Sequence, residues 1–258
     1  MKISILTLTV IIFLITGINA QQEKRLALVI GNDNYDKGAL NNPVNDALLM
    51  EKTLKSLDFD VILDTNINTI QDFNETIFEF AKIRGDYNAA FIYYAGHGIQ
   101  IDGENYLLAT KESYESELEV TFKGLKVSMI LDVLTRKTSK VNVLILDACR
   151  NNPFEKQWNT ESRNLSNSGN GLAKINTTST GSLIAFSTAP NNTASDGEGD
   201  NSVYCLSLCK NMLIENISLS QVFQNVRTEV RNDSKGKQYP EEINRLTGKN
   251  PFILKKGT

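Results

Sequence analysis

The chain has one histidine, three cysteines and no excess of positive charge, and each shortage closes off a class of function. A single histidine excludes any site built on two, including the paired-His zinc motif of a helix. Three cysteines in 258 residues are too few for a disulfide scaffold. Lys and Arg number 27 against 30 Asp and Glu, a net charge of −3. The positive field that drives counterion release is missing, and nucleic acid is not expected as a partner. A Gly-rich phosphate loop ending in Lys-Ser/Thr is absent, and Gly96-x-Gly98 lacks the third glycine of a dinucleotide fingerprint. No cofactor is expected. Nor is a metal: Cys205 and Cys209, four apart on a predicted helix, have no third and fourth ligand, and read as apolar packing. The acidic stretch Asp196, Glu198, Asp200 lacks the residue order of an EF-hand loop. With 41% hydrophobic and 22% charged residues, 16 Gly and 5 Pro, the composition is that of a globular protein able to bury a sizeable core.

The N-terminus reads as a secretion signal. Met1 and Lys2 precede an apolar run from Ile3 to Ile15, and Ile18-Asn19-Ala20 approximates a small-residue cleavage site. The run falls short of the ~20 apolar residues that span a bilayer, so cleavage after Ala20 is expected rather than a membrane anchor. The mature chain, 21–258, is then secreted or periplasmic with no membrane association. There a free thiol persists only for a reason.

Short apolar runs alternate with helical patterns. Arg25 to Ile30, Ala89 to Ala95, Val141 to Leu146 and Gly181 to Ser187 read as buried strands, and Asp58 to Leu63 as an alternating one. Helices are predicted after Asn42-Pro43, over Ile70 to Phe80, Met129 to Leu134, Ser202 to Leu213 and Leu219 to Val230, with Pro251 to Leu254 as a possible closing strand. Residues 151–180, rich in Asn, Ser, Thr and Gly, read as a long surface loop. It separates a larger portion, about 21–150, from a smaller one, about 181–258, within one domain. The expected fold is an α/β three-layer sandwich, a mostly parallel central sheet with helices on both faces.

Two of the strands run into chemistry. AAFIYYA leads to Gly96-His97-Gly98, and VNVLILD ends in Asp147-Ala148-Cys149-Arg150. In an open parallel sheet ligands bind beyond the carboxyl ends of the strands, so both clusters fall on the functional edge. A thiol attacks a carbonyl as thiolate, and an adjacent imidazole both lowers its pKa and protonates the leaving amine. His97 and Cys149 are therefore the catalytic candidates. The amides of Gly98 and Cys149 are natural oxyanion donors.

These two motifs, Tyr93-Tyr94-Ala95-Gly96-His97-Gly98 and Asp147-Ala148-Cys149-Arg150-Asn151, resemble the His and Cys motifs of caspase-like cysteine peptidases. The Ala-Gly-His-Gly and Asp-x-Cys-Arg forms are more similar to paracaspases and bacterial caspase-like proteins than to animal caspases, whose motif has Gln where Asp147 stands. Metacaspases carry Ser at the position of Ala95. Leu28 to Asn32 through Asn45-Asp46-Ala47 resembles the family's first strand, loop and helix. Ser182 to Ala189 and Lys237 to Pro240 resemble its smaller C-terminal portion. The resemblance implies a caspase-like sandwich and a cysteine endopeptidase acting on protein or peptide substrates. Arg- and Lys-specific members resemble this chain at Asp46 and Asp147, which implies a substrate-binding floor for a basic residue before the scissile bond. Two carboxylates suit such a residue, because Arg presents a planar fork that they accept bidentately. The substrate backbone is expected to pair with an edge near Ser187 to Ala189. The main alternative is a catalytically silent caspase-like module that binds partner proteins. A small-molecule hydrolase on the same sheet would need a closed pocket in place of a groove.

Overall fold

The computed structural model describes residues 23–136, 141–149, 180–189 and 199–257, together with Trp158 and Ile175. Residues 1–20, read above as a signal, and nearly all of 151–180, read as a loop, lie outside the described residues.

The core strands are β1 (Arg25–Gly31), β2 (Phe59–Thr65), β3 (Ala89–Ile101), β6 (Val141–Cys149), β7 (Ser182–Phe186) and β8 (Glu241–Arg245), in the spatial order β2-β1-β3-β6-β7-β8. All neighbours run parallel except β7 and β8. Successive side chains of a strand point to opposite faces, so a strand covered on both faces must be apolar throughout. That is why β1 and β7 are buried at every position.

One face carries Ala27, Val29, Phe91, Tyr93, Val143 and Ile145 under α1 (Pro43–Ser56), α5 (Val203–Met212) and α6 (Leu219–Asp233). The other carries Leu28, Ile30, Ile92, Leu144 and Leu146 under α2 (Ile70–Arg84) and α4 (Val127–Thr135). Each fully buried aliphatic or aromatic side chain contributes on the order of 1.5–3 kcal/mol. The three-layer sandwich with a mostly parallel sheet is thus observed. Helix starts follow local chemistry: Pro43 opens α1, Thr69 and Asp72 form a reciprocal capping box on α2, and Ser202 and Ser218 cap α5 and α6.

Four features depart from the sequence reading. The third strand does not stop at Ala95 but runs to Ile101, where Asp102 and Gly103, at φ of 50° and 82°, turn it into a hairpin with β4 (Glu104–Leu107). A short helix, α3 (Glu117–Lys123), and a two-residue strand, β5 (Leu125–Lys126), follow. The Pro251 to Leu254 strand reduces to a single bridge between Ile253 and Ser218. The sheet closes instead with β8, whose sequence EEINR is half exposed as an outermost strand must be. No helix among the described residues is long and apolar enough to cross a membrane.

Candidate active site

Three elements deliver the site to the carboxyl edge of the sheet. Gly31 ends β1 where a Cβ would lie 2.4 Å from the Pro43 carbonyl and 2.7 Å from the Ala47 Cβ. Only glycine allows α1 to start this close to the strand, and that contact sets Asp46, in the first turn, over the sheet end. Strands β3 and β6 supply the remainder. Their parallel register places Ala95 opposite Asp147 and His97 opposite Cys149. His97 thus lies inside a strand, at the point where β3 leaves β6 and turns to β4.

The backbone of His97 is fixed on both sides. Its N–H donates to the Tyr35 hydroxyl at 2.9 Å, and its carbonyl accepts from the Tyr94 hydroxyl at 2.7 Å and from the Leu108 N–H at 3.1 Å. The two phenol oxygens are 3.1 Å apart. Gly96 has φ of 153°, and a Cβ there would come within 2.7 Å of both hydroxyls, so the polar cradle requires glycine. The imidazole is 5% exposed and packs on the Tyr35 ring at a centroid distance of 4.3 Å. Its Nε2 lies 2.6 Å from the Gly38 carbonyl. A carbonyl only accepts, so Nε2 carries a proton, and in the neutral ring the basic lone pair is on Nδ1. The bond from Leu108 to His97 also decides the state of Gly98. Bonded and non-bonded pairs alternate along an antiparallel ladder, and Gly98 opposite Leu107 falls on a non-bonded pair. Its N–H is turned away from β4 and toward the Cys149 end of β6.

Asp46 and Asp147, from α1 and β6, are brought together by a residue that the sequence reading used only as a helix start. Ser202 donates its backbone N–H to Asp46 Oδ1 at 2.9 Å and its hydroxyl to Asp147 Oδ2 at 2.9 Å. Asn201 adds a bond to Asp46 Oδ1 at 2.9 Å, and Tyr93 one to Asp147 Oδ2 at 3.2 Å. Both acids are buried, Asp46 at 2% exposure. Asp46 is thus shielded from solvent although it lies in the first turn of a helix. Burial pushes its carboxyl above the usual range, against the pull of the Asn201 and Ser202 donors. Burial first, and then the charge of Asp46, push Asp147 up to about 7. No cation among the described residues pairs with either acid, so two carboxylates face each other with protein donors only.

Cys205 and Cys209 are buried, their sulfurs 3.9 Å apart, and Cys205 donates to the main-chain oxygen of Asp46 at 3.5 Å. Burial pushes the Cys205 thiol up, as in inert structural cysteine. The expected substrate edge needs correction at Ser187. Its N–H is bonded to the Leu146 carbonyl at 3.0 Å and its carbonyl accepts from Gln238 Nε2 at 2.9 Å, so its main chain is already engaged. Among the described residues no group of three or more His, Cys, Asp or Glu is placed to hold a metal ion. Tyr35, Gly38, Asn201 and Ser202 escaped the sequence reading. Ser202 alone had a signal, as a helix cap.

His97, within β3, and Cys149, at the end of β6, thus lie on neighbouring strands of a mostly parallel sheet with helices on both faces. The chain superposes on caspase-1 from Spodoptera frugiperda with a TM-score of 0.65 at 16% identity, covering 91% of this chain and 90% of that one. It superposes on the Drosophila initiator caspase Dronc with a TM-score of 0.61 at 14% identity, covering 90% and 81%. Residues 24–251 match the Caspase domain family, and the chain belongs to it. Over 129 residues it is 30% identical to the human Mucosa-associated lymphoid tissue lymphoma translocation protein 1, covering 49% of this chain and 15% of that protein. The same figures hold for the mouse homolog. The chain spans a small fraction of those relatives' length.

Proposed function

We propose that the protein is a cysteine endopeptidase that cleaves peptide bonds after Arg or Lys, with Cys149 as nucleophile and His97 as general acid and base. The observation that carries the reading is the joined pair of buried carboxylates, Asp46 and Asp147, at the same sheet edge as His97 and Cys149. A buried acid pair with no counterion among the described residues attracts a guanidinium or ammonium and repels an acidic side chain.

In this mechanism His97 Nδ1 takes the thiol proton of Cys149 while Gly38 holds the ring through Nε2. The thiolate attacks the scissile carbonyl, and the electron pair moves onto its oxygen between the N–H groups of Gly98 and Cys149. Each such donor is worth ~3–4 kcal/mol in the transition state. Collapse expels the amine, protonated by His97, and leaves a thioester. Water then attacks, giving its proton to His97, and the carboxylate product departs as the thiol is restored. The signal reading of residues 1–20 puts this chemistry outside the cytoplasm.

The test is mass spectrometry of a mixed peptide library after incubation with purified 21–258. New C-termini at Arg or Lys are expected, and none with Cys149→Ala. Products ending in Asp, or none at all from the wild type, would overturn the reading.

A further inference from the structure

Ser202 stands at the junction of the acid pair, and its position has a functional consequence. We propose that Ser202 is the positioning residue that makes a single cation pocket of Asp46 and Asp147. The inference rests on the proposed basic-residue pocket and deepens it.

Asp46 and Asp147 belong to different elements, and nothing in the path of the chain obliges their carboxylates to share a ligand. Ser202 is bonded to both, by backbone to one and by side chain to the other. Its hydroxyl also accepts the Cys205 N–H at 3.0 Å as the cap of α5. With one lone pair held by the helix, the single hydroxyl hydrogen is aimed at Asp147 rather than free to rotate. A ten-residue helix thus supports the pocket, and a site held by a rigid element keeps its geometry better than one held by a loop. Oδ1 of Asp46 and Oδ2 of Asp147 are taken up by these donors, which orients both carboxylates for a cation that meets the pair across their other oxygens.

The same bonds govern charge. Two buried carboxylates oppose each other's ionisation, and a donor to the ionised form favours it. Among the described residues, the other ionisable groups around the pair are Tyr93 on β3, Tyr204, Cys205 and Cys209 on α5, and Glu242 on β8, which faces Tyr204. None is a cation. Donors such as Ser202 are therefore what draw the pair toward ionisation against burial and mutual repulsion.

The test compares Ser202→Ala, Ser202→Gly and Ser202→Thr in the full mature chain. Glycine caps a helix nearly as well as serine but has no hydroxyl, and threonine keeps both functions. For a peptide with Arg before the scissile bond, the rise of kcat/KM with pH should move up by about one unit in the Ala and Gly variants. The loss should lie in KM, reach roughly tenfold below the midpoint and narrow as pH rises. Thr should match the wild type. Carboxyl-carbon NMR titration of Asp-labelled protein should show the pair's apparent midpoints raised by the same amount in Ala and Gly. Unmoved midpoints in both variants would overturn the role of Ser202. If the wild type cleaves no basic peptide, the proposed function falls, and the NMR titration still decides whether Ser202 sets the charge of the pair.

Discussion

His97 and Cys149 are directly opposite each other in the register of β3 and β6, the last pair before the two strands separate. A parallel register repeats along its whole length, so the pairing of His97 with Cys149 is fixed by every buried pair behind it, from Ala89 with Val141 onward. The two proposed catalytic residues are in this sense the terminal rung of the core.

The first prediction concerns that rung. Cys149→Ala should abolish both peptidase activity and labelling by an electrophilic peptide probe. His97→Ala should lower kcat by roughly 10²–10⁴, the usual worth of a positioned acid and base. Cys205→Ala, which removes a buried thiol with a raised pKa, should leave labelling intact. Labelling that follows Cys205 instead would reassign the nucleophile.

A second prediction follows from Tyr35. Its hydroxyl receives the His97 N–H and donates to the Leu108 carbonyl at 3.2 Å. Tyr35→Phe strands a buried N–H, which costs ~1–3 kcal/mol, and loosens the placement of the imidazole. The midpoint of thermal unfolding should fall by several degrees, and kcat should fall with KM little changed. An unchanged kcat would show that β3 alone holds His97.

Much of this was legible in the sequence because the sheet is buried on both faces. Continuous apolar runs such as AAFIYYA and VNVLIL mark strands whatever lies around them, and each run leads into one of the candidate site motifs. What was not legible depends on partners far along the chain. EEINR has no apolar run because β8 has, among the described residues, a neighbour on one side only. Gly96 looks like the end of a strand, yet its φ and the hydroxyls around it carry β3 straight on through His97. Asp102-Gly103 is an ordinary hairpin signal that became readable only once β3 was known to reach it. Ser202 shows the limit most clearly. A Ser before a helical pattern announces a cap, but its second bond goes to Asp147, 55 residues away in the chain, and no local pattern encodes that.

The third prediction tests the cradle around Gly96. In Gly96→Ala the new Cβ meets the Tyr35 and Tyr94 hydroxyls at 2.7 Å, at a φ that L residues rarely adopt. Backbone strain of this kind costs ~1–3 kcal/mol before any repacking. The variant should be clearly less stable in denaturant titration and should lose activity even where it remains folded. Wild-type stability would mean that the two tyrosines move aside at no cost.

The last prediction sets stability against function at Asp147. Its carboxyl is pushed up to about 7 from an ordinary 3.8, so between these values the folded chain holds a proton that the unfolded chain has released. Stability from this group is therefore greatest at low pH, falls as pH rises from about 4 to 7, and stays reduced above. Asp147→Asn removes that dependence. The variant should match the wild type near pH 4 and be more stable at pH 8, by a few kcal/mol at most, since the shift is shared with Asp46. Activity should move the other way. Removing one member of a desolvated charge pair costs ~2–5 kcal/mol, so kcat/KM for Arg peptides should fall by roughly 30- to several thousand-fold. Thermal unfolding across pH and steady-state kinetics on the same preparations check both halves. A variant that is less stable at pH 8, or that cleaves Arg peptides at the wild-type rate, would mean that Asp147 is a structural acid and not the floor of a binding pocket.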